Sequence, residues 1–72
     1  MKRTPISSSV IVSAGYDGQA CVLEIEFTSG KIYQYFDVPR TRFDGLLTAE
    51  SAGTYFNANI RDDFEYDALP AP

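Results

Sequence analysis

The cleanest alternation of apolar and polar positions lies at "CVLEIEF", residues 21 to 27. There Cys21, Leu23, Ile25 and Phe27 point one way while Glu24 and Glu26 point the other. A period of two marks a half-buried strand. Upstream, "SVIVSAGYD" (9 to 17) is rich in β-branched residues and runs into Asp17-Gly18, which reads as a strand closed by a turn. Downstream, "TSGK" turns the chain into a third strand, "KIYQYFDV" (31 to 38). Three consecutive strands joined by short turns make an antiparallel meander. Pro39 then changes the period, since it holds Val38 extended and its own fixed φ suits the first turn of a helix. Phe43, Leu46 and Leu47 fall on one helical face of "PRTRFDGLLTAE", although Gly45 weakens that helix. Ser51 is an N-cap for a second helix, "SAGTYFNANI", whose Ala52, Tyr55, Phe56 and Ile60 share a face; Thr54 is not the Glu or Gln of a full capping box. The expected class is α+β: a three-stranded antiparallel β-meander followed by two short helices packed on one face. Residues 1–8 are expected to be loose, 9–66 to form the single domain, and 67–72, "DALPAP", to fray because they have nothing to bury. No internal repeat and no second domain is visible.

The turn at Ser29-Gly30 decides which way Tyr33 and Tyr35 point. If Ser29-Gly30 is a two-residue hairpin loop, Phe27 pairs with Ile32 and Ile25 with Gln34, which stands the tyrosines outside beside Glu24 and Glu26. If Thr28-Ser29-Gly30 form a three-residue loop with Gly30 left-handed at a bulge, Ile25 faces Tyr33 and Leu23 faces Tyr35, and the tyrosines go inside. The first register puts Gln34 in the core, at roughly 1–3 kcal/mol if its amide is unpaired. The second exposes Ile32 and Phe36, a similar cost at about 25 cal/mol per Å². Both registers stay open; the bulged turn is somewhat favoured, because Ser-Gly lacks the Asn or Asp that best tolerates the first left-handed position of the two-residue turn.

Composition narrows the possible functions. A chain of 72 residues buries only about 60% of the surface its unfolded form exposes, so every large apolar side chain is needed. Hydrophobic residues at 44% and aromatics at 14% are enough to fold it. One cysteine, Cys21, allows no internal disulfide and reads as a small buried side chain in a reduced, cytoplasmic setting. No apolar run reaches membrane-spanning length, and "MKRTPISSS" lacks the apolar core of a secretion signal. The net charge of −4 repels polyanions at long range.

With no histidine in the chain there is no Ser-His or Cys-His dyad and no ordinary zinc site. The acidic run "RDDFEYD" lacks the spacing and central glycine of a calcium loop and reads as a solvated tail. The dispersed glycines form no phosphate cradle. No enzyme, metal or cofactor is expected. What remains is Tyr33, Tyr35 and Phe36 beside Lys31, with Arg40 and Arg42 after Pro39 and Arg61 closing the second helix. Aromatic platforms beside a basic track bind single-stranded nucleic acid. The plainer alternative is that the aromatic run is core, with Asn57 and Asn59 as helix-end residues.

The succession "SSSVIVSAGYD", "LEIEFTSGKIYQYFDVP" and "AESAGTYFNANIR" resembles the KTSC domain family. That short module is named from the C-terminus of some lysyl-tRNA synthetases and is also found as free-standing bacterial and phage proteins. The resemblance spans roughly residues 6 to 66. Its most specific element is Tyr33-Gln34-Tyr35, supported by Val38-Pro39, by Ser51 and Gly53 with Tyr55-Phe56-Asn57, and by Ile60-Arg61. The family has no established activity; the synthetase context implies RNA, transfer RNA or a single strand, as a ligand. Two functions are therefore carried forward. One is nucleic-acid binding through Lys31, Tyr33, Tyr35, Arg40, Arg42 and Arg61. The other is a protein-interaction module, or a homodimer, that pairs through a sheet edge or an apolar patch containing Ile32 and Phe36. An acidic decoy for a nucleic-acid-binding protein rests only on net charge and the "DDFEYD" segment.

Overall fold

In the computed structural model, which describes residues 2–69, the strand with the cleanest alternation, β3 (Val22–Phe27), lies at the centre of an antiparallel sheet. β2 (Ile11–Asp17) and β4 (Ile32–Tyr35) flank it, while β1 (Arg3–Pro5) and β5 (Tyr66–Ala68) form the edges, giving the order β1-β2-β3-β4-β5. Two helices, α1 (Arg40–Thr48) and α2 (Ala52–Asn59), enter between β4 and β5. Their apolar residues Phe43, Leu46, Ala52 and Phe56 close over Ala14, Leu23, Ile25 and Tyr35 of the sheet in one core, joined by Ile11, Val38 and Ile60.

The α+β class and the two helices agree with the sequence pattern, but the sheet has five strands rather than three. The two extra strands are three residues each and come from stretches whose composition suggested no order. Backbone pairing, rather than an apolar stripe of their own, ties them to the sheet. Arg3 lies opposite Gly15 and Pro5 opposite Ser13, and the Ile6 N–H donates to Val12 O at 2.9 Å. At the other edge Tyr66 pairs with Tyr35 and Ala68 with Tyr33. The Leu69 N–H there donates to Ile32 O at 2.8 Å. Short, exposed edge strands need no alternation and tolerate proline, so nothing in their pattern announces them. The expected loose segment 1–8 thus supplies β1, and the expected frayed tail 67–72 supplies part of β5; residues 70–72 lie outside the described residues.

Two local irregularities shape the core. A register shift between Ile11 and Ser13 lets Ile11 and Ala14, three residues apart, both reach zero exposure on the same side. Cys21 does not take the buried strand position that its alternation suggests. It is half-buried before β3 begins, with φ of 56°, at the end of a turn in which Asp17 Oδ1 accepts from the N–H groups of Gln19 (3.0 Å) and Ala20 (3.3 Å). Its carbonyl accepts from the Val38 N–H at 2.9 Å, just after the second left-handed residue, Asp37.

The helices end as their sequences dictate. Pro39 precedes α1 in extended conformation, and Ser51 Oγ accepts from the Thr54 N–H at 3.2 Å to cap α2. Gly45 is where the two helices meet, since a Cβ there would overlap the Tyr55 hydroxyl and ring. Its poor helix propensity is offset by this close approach. Replacing Gly45 with Ala would stabilise an isolated helix by about 1 kcal/mol. Overpacking against Tyr55, at about 1–3 kcal/mol, cancels or exceeds that gain, and urea denaturation of Gly45→Ala is expected to show a net loss of up to about 2 kcal/mol. A variant about 1 kcal/mol more stable than the parent would contradict the contact.

Candidate nucleic-acid interface

The hairpin between β3 and β4 sets the orientation of every candidate side chain on β4. The Gly30 N–H donates to Phe27 O and the Phe27 N–H to Lys31 O, each at 2.9 Å, and Gly30 has φ of 91°. This is a three-residue loop with a left-handed glycine at its bulge. Ile25 therefore faces Tyr33, and Leu23 faces Tyr35. Glu24 and Glu26 stand on the opposite face of the sheet, paired with Gln34 and Ile32. They are engaged there: Arg3 Nε lies 3.5 Å from Glu24, Arg3 Nη1 3.7 Å from Glu26, Ser13 Oγ donates to Glu26 at 3.1 Å and Gln34 Nε2 to Glu24 at 3.0 Å. Gln34 is thus paired rather than stranded in the core. Ile32 and Phe36 are half-buried, so neither forms an open apolar patch.

On the helix-covered face the aromatic rings form a continuous series. Tyr35 is 2% exposed and meets Phe56 edge-on at 5.5 Å. Tyr33, half-buried, sits between Phe27 (5.5 Å, 67°) and Tyr66 of β5, on which it stacks at 5.1 Å and 25°. Tyr66 is 53% exposed. These rings floor a groove of about 580 Å³ that opens between the β3–β4 hairpin, β5 and the end of α2. Its rim carries Lys31, Asn57, Arg61 and Asp62. Arg61 is held where α2 ends, its N–H donating to Phe56 O at 2.9 Å.

The structure brings together four of the six residues singled out in the sequence, Lys31, Tyr33, Tyr35 and Arg61, and separates the other two. Arg40 begins α1 with Nε 3.8 Å from Asp44. Arg42 ties the helices, its Nη1 donating to Asn59 O (3.2 Å) and Oδ1 (3.1 Å). Neither lines the groove. Asn59 is a helix-end residue, whereas Asn57 faces the groove. Tyr66 and Asp62 were hidden in the acidic run, where only the tyrosine among carboxylates hinted at a role. Among the described residues no three His, Cys, Asp or Glu side chains converge to hold a metal ion, and no helix is long and apolar enough to cross a membrane.

Burial pushes the Tyr35 hydroxyl up to about 12, with the neighbouring Tyr33 and Tyr66 adding to the rise and the Arg61 charge opposing it. Burial also raises Tyr16, whose hydroxyl donates to Val38 O at 2.6 Å and lies near Cys21.

Likeness to known proteins runs nearly end to end. A sequence model described as the KTSC domain matches residues 7–64. A protein of Tsukamurella paurometabola is 43% identical over 65 residues, covering 90% of this chain and 97% of the relative. An uncharacterized protein of Stutzerimonas stutzeri is 46% identical over 57 residues, 79% of this chain and 80% of the relative. A lysine-tRNA ligase of Nostoc punctiforme is 39% identical over 61 residues, which is 85% of this chain and 11% of the ligase. The crystal structure of a KTSC domain protein from Yersinia pestis superposes with a TM-score of 0.93 at 36% identity, covering 96% of this chain and 97% of that one.

The tyrosine geometry makes an alkaline prediction. A phenol that ionises at 10.0 when unfolded and near 12 when folded stabilises the fold fully below pH 10, and that contribution is lost as pH rises between the two values. Denaturation midpoints measured from pH 9 to 12 should fall across that window in the parent and fall less in Tyr35→Phe. Parallel curves would contradict the burial of this hydroxyl.

Proposed function

The chain belongs to the KTSC domain family, and on that premise we propose that it is a non-catalytic binding module that takes single-stranded RNA into the aromatic groove. One observation carries the reading: the Tyr33–Tyr66 stack lies beside Lys31 and Arg61, and neither cation has a carboxylate within 4.0 Å among the described residues. Arg3 and Arg40, by contrast, are committed to Glu24, Glu26 and Asp44. An exposed ring accepts a base of any sequence, each stacked base contributing about 1–3 kcal/mol, and free cations beside it hold the phosphates.

The net charge of −4 does not decide against this reading. Charges farther away than about 10 Å are largely screened at 0.1 M salt. Glu24 and Glu26, on the strand next to the tyrosines of β4, pair with Gln34 and Ile32 and so face the other side of the sheet. The likeness to a segment of a lysine-tRNA ligase supports RNA as the polymer. With two phosphate-holding cations, the slope of log affinity against log salt should be modest, about −1.4 for a single strand.

Fluorescence anisotropy with a mixed-sequence single-stranded RNA and with transfer RNA, at 50 and 150 mM salt, tests the reading. Lys31→Ala and Arg61→Ala are expected to weaken binding and each to reduce the salt slope by about 0.7. Tyr66→Ala, at an exposed edge position, should weaken it roughly 5- to 150-fold, the range of one lost stacked base. Arg40→Ala should change nothing. Absence of binding at 50 mM salt, or an Arg40 effect equal to that of Arg61, would overturn the proposal and pass the groove to a protein partner or a second copy of the chain.

A further inference from the structure

We infer that the groove selects guanine, with the Asp62 carboxylate reading its Watson–Crick edge; this rests on the RNA reading above. A carboxylate on the rim of a phosphate-holding groove opposes the phosphates and favours a ligand group that donates hydrogen bonds. Asp62 is exposed and has no Lys or Arg nitrogen within 4.0 Å among the described residues, which leaves both of its oxygens free to accept from a ligand. Its presence repels any ligand that offers only acceptors.

The four bases differ in what they offer a carboxylate. Guanine presents two adjacent donors, N1–H and the N2 amino group, which match the two oxygens of one carboxylate. Adenine and cytosine each set an amino donor beside a ring-nitrogen acceptor, and uracil flanks a single N3–H with two carbonyl oxygens. Each of those three turns at least one lone pair toward the negative charge. Asn57, on the same rim, carries an amide N–H₂ that can donate to guanine O6, the acceptor next to N1. The more-than-half-exposed Tyr66 ring offers its face to a purine held in this way.

Binding of single-stranded RNA nonamers that carry one central guanine, adenine, cytosine or uridine in an otherwise all-uridine strand tests the inference. The guanine nonamer is expected to bind roughly 5- to 150-fold more tightly than the other three, the range of one good bidentate base contact. Inosine, which keeps N1–H and lacks the N2 amino group, should fall between guanine and adenine. Asp62→Ala should abolish the preference while leaving the other nonamers bound as tightly as before or more tightly, because it removes a repulsion. A merely structural aspartate would weaken all four together. Equal binding of all four nonamers, or a guanine preference that survives Asp62→Ala, would overturn the inference and leave RNA binding standing. Failure of every nonamer to bind would remove both.

Discussion

One left-handed residue, Gly30, governs the distribution of chemistry over this molecule. With its φ at 91° the β3–β4 loop holds three residues, and one residue fewer would move every side chain of β4 to the other side of the sheet. In the observed register Tyr33 and Tyr35 join the helix-covered face, while Gln34 turns to Glu24 on the opposite one. Positive φ is available to glycine at almost no steric cost and to serine at about 1–2 kcal/mol. The bulged turn therefore places that demand on the residue best able to meet it.

The two faces of the sheet then divide the polar work. On the outer face Arg3 reaches across from β1 to Glu24 and Glu26, and Ser13 and Gln34 add hydrogen bonds, so those acids are matched locally. Gly15 makes room for this crossing, since a Cβ there would come within 2.8 Å of Lys2 O and 2.9 Å of Arg3 Cγ. On the inner face there is no such matching around Lys31 and Arg61 among the described residues. The aromatic run is both core and surface: Tyr35 is sealed beneath Phe56 while the ring series emerges through Tyr33 to Tyr66 at the edge. Within "YQYF" the two tyrosines therefore differ: Tyr35 belongs to the core, and Tyr33 links it to the exposed ring of Tyr66.

Elements that bury an alternating or helical stripe were legible in the sequence. β3 follows from Leu23 and Ile25, and α2 from Ser51 with Ala52 and Phe56, because burial imposes a period that can be read without coordinates. β1 and β5 were not legible, since their hydrogen bonds belong to the backbone and any short polar segment could make them. Cys21 was misplaced for a related reason: the alternation runs into the turn, but strand pairing stops at Val22. At the candidate site, strand periodicity puts Tyr33 and Tyr35 on one face and turn chemistry favours the inner one without deciding it, and Lys31 follows from the same hairpin. Tyr66 and Asp62 join them only through the return of the chain after α2, a long-range pairing that composition does not report. Arg40 and Arg42 looked equivalent to Arg61 in sequence, yet helix geometry turns one toward Asp44 and the other toward Asn59.

The proposed binding falls on the inner-face groove, not on the outer sheet face or the start of α1. A ¹⁵N-HSQC titration of the labelled protein with single-stranded RNA at low salt, repeated at physiological salt, tests this most directly. Shifts are expected to concentrate on Lys31, Tyr33, Asn57, Arg61 and Tyr66 and to diminish with salt, with Glu24, Glu26 and Arg40 unmoved. A spectrum that does not move, or shifts centred on the Arg3–Glu24–Glu26 face, would contradict it.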